Sequence, residues 1–295
     1  MAVMPRAEVH ITAALVKELL KEQAPAFSDL PLTLFANGWD NVIYRLGNEM
    51  AVRLPRREAA AHLVLHEQRY LPGYALHSPV PVPAPIHNGR PSGKYPWPWS
   101  VVPWLEGIPA TLVPHAARKA AAEDLAAFLL AIHVPAPAGA PINPVRGVPL
   151  AARSSVVQER LADARRYPDA GRLRDIWLRA CAAPAWSGPR LWLHGDLHPA
   201  NVLLKPDGHL AAVIDFGDLG AGDPAVDLAV AWLMFDDGAR HRFVSALGPA
   251  VGAGDWVRAR GWAVALATAM VTFSDDNPGM AGVGRFAVAQ LLGGD

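Results

Sequence analysis

Residues 191–204 read LWLHGDLHPANVLL, and residues 211–229 read AAVIDFGDLGAGDPAVDLA. Leu191, Trp192 and Leu193 form a short apolar run with the pattern of a buried strand. Gly195 and Pro199 then break the chain into a loop over residues 194–200. Residues 201–204 predict a second strand, Lys205-Pro206-Asp207-Gly208 has turn chemistry, and residues 210–214 predict the returning strand of a hairpin. That hairpin carries Asn201 near one end of the first strand and Asp215 just past the end of the second. Antiparallel pairing brings this amide and this carboxylate side by side. Asp196 precedes Asn201 by five residues and Asp215 by nineteen. Each acid alone is explained as a loop cap; the combined spacing on one hairpin is not.

Two carboxylates and an amide in this order suit phosphoryl transfer. One carboxylate, Asp196, orients or accepts the proton of an attacking hydroxyl. The second, Asp215, and the Asn201 amide oxygen hold Mg²⁺ against nucleotide phosphates. The order His-x-Asp, Asn, Asp-Phe-Gly resembles that of kinase-like enzymes. HGDLHPANVLL and IDFGDLGAGDPAVDLA, with the upstream GWDNVIYRLG, AVRLPRREAA and PWPWSVVPWLEG, resemble the aminoglycoside phosphotransferase family, near its aminoglycoside and macrolide branches. These are small-molecule kinases, and the resemblance spans about residues 37–232. It implies an α+β, protein-kinase-like bilobal fold. A small antiparallel-sheet N-lobe over residues 1–105 binds nucleotide, and a larger, mainly helical C-lobe over residues 106–295 carries the catalytic loop, metal site and acceptor helices. ATP or GTP is the expected co-substrate and Mg²⁺ the expected cofactor.

Upstream, Thr12 predicts the cap of a helix with Leu15, Val16, Leu19 and Leu20 on its apolar face. Two strands, 32–36 and 42–46, flank the turn Asn37-Gly38-Trp39-Asp40-Asn41. Gly38 and Asn41 are candidates to meet phosphate in a flap, although an ordinary hairpin has the same signature. A third strand over 49–54 carries Ala51 and Arg53. By the resemblance, Ala51 is the small residue against adenine, and Arg53 stands where a lysine usually meets the α- and β-phosphates. Arginine keeps the charge but is longer and planar. Arg56 and Arg57 are expected to be solvated or salt-bridged. The helix predicted over 58–71 puts Glu67 on its apolar face with Leu63, Val64 and Leu71; a buried acid needs a partner, and Arg53 is the natural one. Residues 76–85 read as extended. Residues 100–105 form a hinge strand, in which Val102 and Trp104 are candidates to read the adenine edge, while Trp97 and Trp99 read as core.

Downstream, residues 116–133 predict one amphipathic helix. Residues 150–180, with seven arginines and four acids, read as a solvated helical insertion, and residues 256–273 as a further helix. Asp223 before Pro224 predicts a helix cap. Asp227 falls in that helix's first turn, where it favours the dipole or, by the resemblance, braces the catalytic loop. Between Leu191 and Gly238 there are eight aspartates and one basic residue, Lys205. Asp218, Asp236 and Asp237, with Asp275 further on, are candidates to bind the acceptor. Their charge points to a cationic hydroxylated acceptor, with an aminated antibiotic in first place.

Composition sets the remaining bounds. The chain has 295 residues, 52% apolar, and no net charge, which argues against a general nucleic-acid binder. No run of residues is apolar enough to span a bilayer. MAVMPRAEVH lacks the apolar stretch of a signal peptide, and the lone Cys181 suits a reducing compartment, so a cytoplasmic monomer or weak dimer is expected. Two other functions compete: a metabolic kinase of the choline, homoserine or sugar type, and a nucleotide-binding pseudokinase, for which the arginine at position 53 speaks.

Overall fold

The computed structural model describes residues 5–293. They divide into two compact units. The smaller runs through His77 and resumes at Pro81–Glu106, and the larger holds Ser78–Val80 and the chain from Gly107 onward.

The smaller unit is a five-stranded antiparallel sheet with two helices. Helix α1 (Ala13–Gln23) is capped by the Thr12 hydroxyl, which accepts from the Leu15 amide. Strands β1 (Leu32–Asn37), β2 (Asn41–Leu46) and β3 (Met50–Pro55) form a meander. Helix α2 (Glu58–Ala75) follows, then β4 (His87–Gly89) and β5 (Trp99–Pro103). The sheet order is β1-β2-β3-β5-β4. Strand alternation sorts the side chains. Tyr44, Leu46, Val52, Leu54, Trp99 and Val101 share one face and pack with Val16, Leu19 and Leu20 of α1. Ala51, Arg53 and Val102 fall on the other. Helix α2 continues past its expected end at Leu71 and contains Pro72, whose missing N–H forgoes one hydrogen bond to the carbonyl four residues back.

The larger unit begins with β6 (Ile108–Pro109). The expected helix over 116–133 is shorter than anticipated. Residues His115–Ala120 wind as a 3₁₀ segment before α3 (Ala121–Ile132). In this tighter winding the buried Arg118 folds back, its Nε donating to the Val113 carbonyl at 2.9 Å. Helices α4 (Ser154–Leu161) and α5 (Ala170–Ala182) form the anticipated helical insertion, but each buries an apolar face rather than being solvated throughout. Leu173, Ile176, Trp177 and Ala180 of α5 are buried, and the arginines of this region are not merely solvated. Arg160 donates to the Ala265 carbonyl at 3.0 Å and Arg166 to the Val271 carbonyl at 2.5 Å. Both carbonyls belong to the long helix Ala253–Phe273, and Arg166 meets groups that a helix C-terminus leaves unpaired. Long cationic side chains here satisfy backbone rather than solvent.

The motif region follows as β7 (Leu191–Leu193), β8 (Val202–Leu204), β9 (Leu210–Val213) and β10 (Gly220–Gly222). Strands β8 and β9 form the expected hairpin, extended by β6. Strand β7 pairs separately with β10. Asn201 is not in a strand but closes the 3₁₀ turn Pro199–Asn201. Helices α6 (Ala225–Leu228), α7 (Val230–Met234), α8 (Asp237–Leu247), α9 (Ala253–Phe273) and α10 (Pro278–Gly293) complete the chain. Helix α9 is the core of this unit, burying Trp262, Val264, Leu266 and Met270. Among the described residues no helix is long and apolar enough to cross a membrane.

Arg258 of α9 ties this core to the motif region. Its guanidinium grips both Asp223 oxygens, at 2.7 and 3.2 Å, and also reaches Asp255 at 2.6 Å and the Pro184 carbonyl at 2.9 Å. Asp223 also accepts from the Ala225 amide at 3.0 Å, so it does cap the start of α6, one residue earlier than the helix boundary. Removing one partner strands a buried charge, which typically costs about 3–5 kcal/mol. Arg258→Ala is therefore expected to lower the urea-unfolding free energy by that order. A loss below about 1 kcal/mol, the scale of a surface pair, is the outcome that contradicts it.

Candidate active site

In the larger unit the loop between β7 and β8 is built on Asp227, which has no exposed surface. One carboxylate oxygen accepts from the Gly195 amide at 2.8 Å. The other accepts from the His194 amide at 2.9 Å and meets His133 Nε2 at 3.1 Å. A buried carboxylate with three hydrogen bonds is satisfied, and here it anchors the two residues before Asp196. The bracing role implied by the resemblance is thus visible as geometry.

The histidine of His-Gly-Asp links this loop to the next motif. The Asp196 amide donates to His194 Nδ1 at 3.2 Å, so Nε2 carries the proton and donates to the Ile214 carbonyl at 3.0 Å. Gly195 has φ +85°, and a Cβ built on it would run into the Asp218 carbonyl oxygen. Position 195 therefore takes glycine twice over, for backbone conformation and for close approach.

Asn201 and Asp215 come together as the hairpin predicts. Val202 faces Val213 in the ladder, and the Ile214 amide donates to the Asn201 carbonyl at 2.9 Å. Asp215 follows directly, and it is the one non-glycine residue with positive φ (63°) among the described residues. Asn201 Nδ2 donates to the Asp196 carbonyl at 2.9 Å, which leaves its amide oxygen for a ligand. A carboxylate and an amide oxygen fit Mg²⁺, whose remaining ligands are typically waters and substrate phosphates. The described residues hold no cluster of three or more His, Cys, Asp or Glu that could bind a metal by themselves.

Asp196 itself keeps 27% of its side chain exposed, enough for an acceptor hydroxyl to reach it. Oδ2 lies 3.3 Å from His198 Nε2, and Oδ1 accepts from Arg146 Nη2 at 3.0 Å. Burial pushes this carboxyl up, but the charges and hydrogen bonds of His198 and Arg146 outweigh it and hold it below the usual carboxylate range. Asp218 sits against the same arginine, at 3.7 Å, and accepts from Asn143 Nδ2 at 2.6 Å. Burial, reinforced by the Asp196 charge, raises the Asp218 carboxyl despite Arg146.

Of the four acceptor candidates, only Asp218 adjoins Asp196. Asp236 caps α8, accepting from the Ala239 amide at 2.9 Å; Asp237 pairs with Arg240 at 2.7 Å; Asp275 pairs with Arg166 at 3.0 Å. The remaining acids of this stretch are engaged as well, Asp207 in its turn, Asp223 by Arg258 and Asp227 by the loop. Of the aspartates in residues 191–238, Asp196, Asp218, Asp223 and Asp237 meet an arginine, Asp227 meets His133, and Asp207 and Asp236 are held by backbone amides. Arg146, Asn143, His198 and His133 were not anticipated. Asn143-Pro144-Val145-Arg146-Gly147 shows turn chemistry in sequence, but nothing local reveals carboxylate partners fifty or more residues away.

In the smaller unit, Ala51 lies opposite Val102 in the β3–β5 ladder, and Arg53 lies two residues on, on the same face. Arg53 Nη1 donates to Glu67 Oε2 at 2.8 Å, and Glu67 is only 2% exposed, so the expected pair forms. The Trp104 amide donates to the Glu49 carbonyl at 2.7 Å and is committed to the sheet. Its ring carries the Arg45 guanidinium at 3.9 Å on its face and contacts Phe35 edge-on at 4.7 Å. At the flap, the Gly38 amide donates to the Asn41 carbonyl at 2.9 Å. Arg56 is buried with its guanidinium on the Gly38 carbonyl at 2.8 Å, and Arg57 bridges to Asp40 at 2.5 Å. Arg56 is thus a turn-holding residue, not a solvated one.

Gly195→Ala tests the loop. The added methyl and the left-handed backbone both oppose the native geometry, and such strain costs on the order of 1–3 kcal/mol. The variant is expected to lose that much stability by chemical denaturation. A parent-like unfolding midpoint contradicts the reading of Gly195.

A search of the curated proteins finds no match. The chain resembles several solved structures in fold. The GDP and kanamycin complex of APH(2")-IIia matches with a TM-score of 0.70 at 17% identity, covering 95% of this chain and 99% of that one. The apoenzyme of macrolide 2'-phosphotransferase MphH from Brachybacterium faecium matches with a TM-score of 0.62 at 23% identity, over 95% and 99% of the two chains. The streptomycin–ATP ternary complex of APH(2")-IIa matches with a TM-score of 0.57 at 16% identity, over 97% and 98%. At these identities the likeness shows the fold alone. The family assignment rests on the sequence model of the phosphotransferase enzyme family, which matches residues 31–262 and so spans the sheet, the His-Gly-Asp loop and the Asp-Phe-Gly hairpin: the chain belongs to that family.

Proposed function

We propose that this phosphotransferase moves the γ-phosphoryl group of ATP or GTP to a hydroxyl of a small molecule, with an aminated antibiotic of the aminoglycoside or macrolide type as acceptor. The observation that carries the reading is the juxtaposition of Asn201 with Asp215 at the open end of the β8–β9 hairpin, five residues beyond a braced and partly exposed Asp196. Asp196 orients the acceptor hydroxyl and takes its proton as transfer proceeds. Asn201 and Asp215 hold Mg²⁺, which when bound offsets charge on the phosphates. Arg53, fixed by Glu67, presents a cation to the nucleotide phosphates, while Ala51 and Val102 provide an apolar bed for the base. The acceptor class is supported by the kanamycin and streptomycin complexes of the similar folds. A cytoplasmic monomer or weak dimer is the setting this reading assumes.

The test is Mg²⁺-dependent nucleotide turnover, screened over kanamycin, streptomycin, erythromycin, choline and homoserine. Stimulation by an antibiotic, with a phosphorylated product by mass spectrometry, is expected. Turnover on choline or homoserine alone would assign a metabolic kinase, and nucleotide binding without any turnover a pseudokinase. With the accepted substrate, Asp196→Ala is expected to lower kcat about a hundredfold or more while leaving nucleotide affinity little changed. Asp215→Ala should weaken Mg·nucleotide binding more than Asn201→Ala, since it removes formal charge. Parent-like Mg²⁺ titrations of both variants contradict the metal assignment.

For the smaller unit, Arg53→Met is expected to raise the nucleotide KM or lower kcat, and Arg53→Lys to retain more activity because the charge survives without the bidentate fork. Equal activity of Arg53→Met and the parent would move the phosphate contact elsewhere.

A further inference from the structure

The segment before α4 carries an unassigned device aimed at the catalytic loop. The Asn143 side-chain oxygen accepts from the Val145 amide at 2.9 Å and from the Arg146 amide at 3.1 Å, closing a tight turn. Gly147 follows with φ +62°, and its approach to Leu193 and Gly222 leaves no space for a side chain. Both ends of the turn are pinned to the chain just beyond Asp218. The Ala221 amide donates to the Pro141 carbonyl at 2.8 Å, and the Asp223 amide to the Gly147 carbonyl at 3.0 Å. The one cation on this turn is aimed at two carboxylates. Arg146 Nη2 meets Asp196 at 3.0 Å, and its Nε lies 3.7 Å from Asp218. Asn143 Nδ2 holds the far oxygen of Asp218 at 2.6 Å. Arg146 is itself only 22% exposed at its side chain.

Two carboxylates close enough to share one guanidinium repel each other when both are ionised, and burial strengthens that repulsion. Without a cation between them, the two carboxylates move apart, which alters the oxygen that Asp196 presents to an acceptor hydroxyl. The geometry points to Arg146 as a positioning residue for phosphoryl transfer: it holds Asp196 and Asp218 together and fixes the orientation of Asp196, with Asn143 setting the turn that aims it. This rests on the proposed role of Asp196 as the group that meets the acceptor hydroxyl.

The experiment compares Arg146→Ala, Arg146→Lys, Asp218→Asn and the double variant Arg146→Ala/Asp218→Asn, using the screened acceptor and fluorescent mant-ATP or mant-GTP with Mg²⁺. Arg146→Ala is expected to lower kcat about tenfold to a hundredfold, the scale of a misplaced catalytic group, with nucleotide affinity unchanged. Arg146→Lys should recover part of kcat. The double variant should be faster than Arg146→Ala alone, because removing one carboxylate removes the repulsion that the arginine offset; a merely structural role produces no such rescue. Parent-like kcat for Arg146→Ala, or strictly additive losses in the double variant, overturns the proposal. Crystals of Arg146→Ala give a readout that needs no acceptor. Asp196 and Asp218 are expected to separate or change rotamer, and unchanged carboxylates overturn the proposal whatever the activity. If no compound in the screen is phosphorylated by the parent, the acceptor assignment fails, and the crystallographic arm still decides the role of Arg146.

Discussion

A fully buried carboxylate, Asp227, is the constraint on which the larger unit's candidate site depends. Once α6 is packed against α9, this charge has no water, and it is satisfied by the two amides ahead of Asp196 and by His133. The consequences run outward along the chain. Fixing His194 and Gly195 fixes Asp196. The His194 imidazole then takes the Asp196 amide on one nitrogen and gives a hydrogen bond to Ile214 on the other. Ile214 is bonded to Asn201 and precedes Asp215, so one network spans the three groups proposed for phosphoryl transfer. The anchor of α6 is in turn the Arg258–Asp223 pair. Loop geometry is thus referred back to the longest buried helix of the unit rather than to the loop's own residues.

A second theme is how the chain manages charge at low exposure. In both units an arginine is held by carboxylates beside the groups assigned to chemistry: Arg53 by Glu67, and Arg146 by Asp196 and Asp218. Arginine suits these positions because its planar fork keeps charge under burial and leaves donors over after one contact is made. The same logic accounts for Arg160 and Arg166, whose guanidinium groups meet carbonyls of α9. It also offsets part of the aspartate run of residues 191–238, Asp223 meeting Arg258 and Asp237 meeting Arg240. Net charge over a segment counts residues, whereas the field at a site depends on where their partners lie.

Much of the architecture is legible in the sequence. The β8–β9 hairpin followed from turn chemistry at residues 205–208 between two apolar runs. The α1 cap followed from Thr12, and the partner of Glu67 from the rule that a buried acid must be paired. These are local signals, or rest on a single strand-and-helix pairing, so periodicity and short-range chemistry suffice. Where expectation and structure differ, a tertiary contact overrides a local pattern. Arg118 tightens the start of α3 into a 3₁₀ segment. Helix α5 buries an apolar face that its many arginines obscured. Arg56 is drawn inside by the carbonyls of the flap turn.

The family is written across motifs spread over residues 31–262, whereas the hairpin that brings Asn201 near Asp215 is written within residues 201–215, where turn chemistry and two apolar runs suffice. Which acids are engaged by partners depends on packing, as does the approach of Arg146 to Asp196 and of Asn143 to Asp218, 50 and 75 residues away along the chain. The physical reason is that such contacts arise from packing of distant segments. The segment around Gly147 approaches β10 only because two glycines leave space for backbone to meet backbone, and no periodicity in the intervening sequence records that approach.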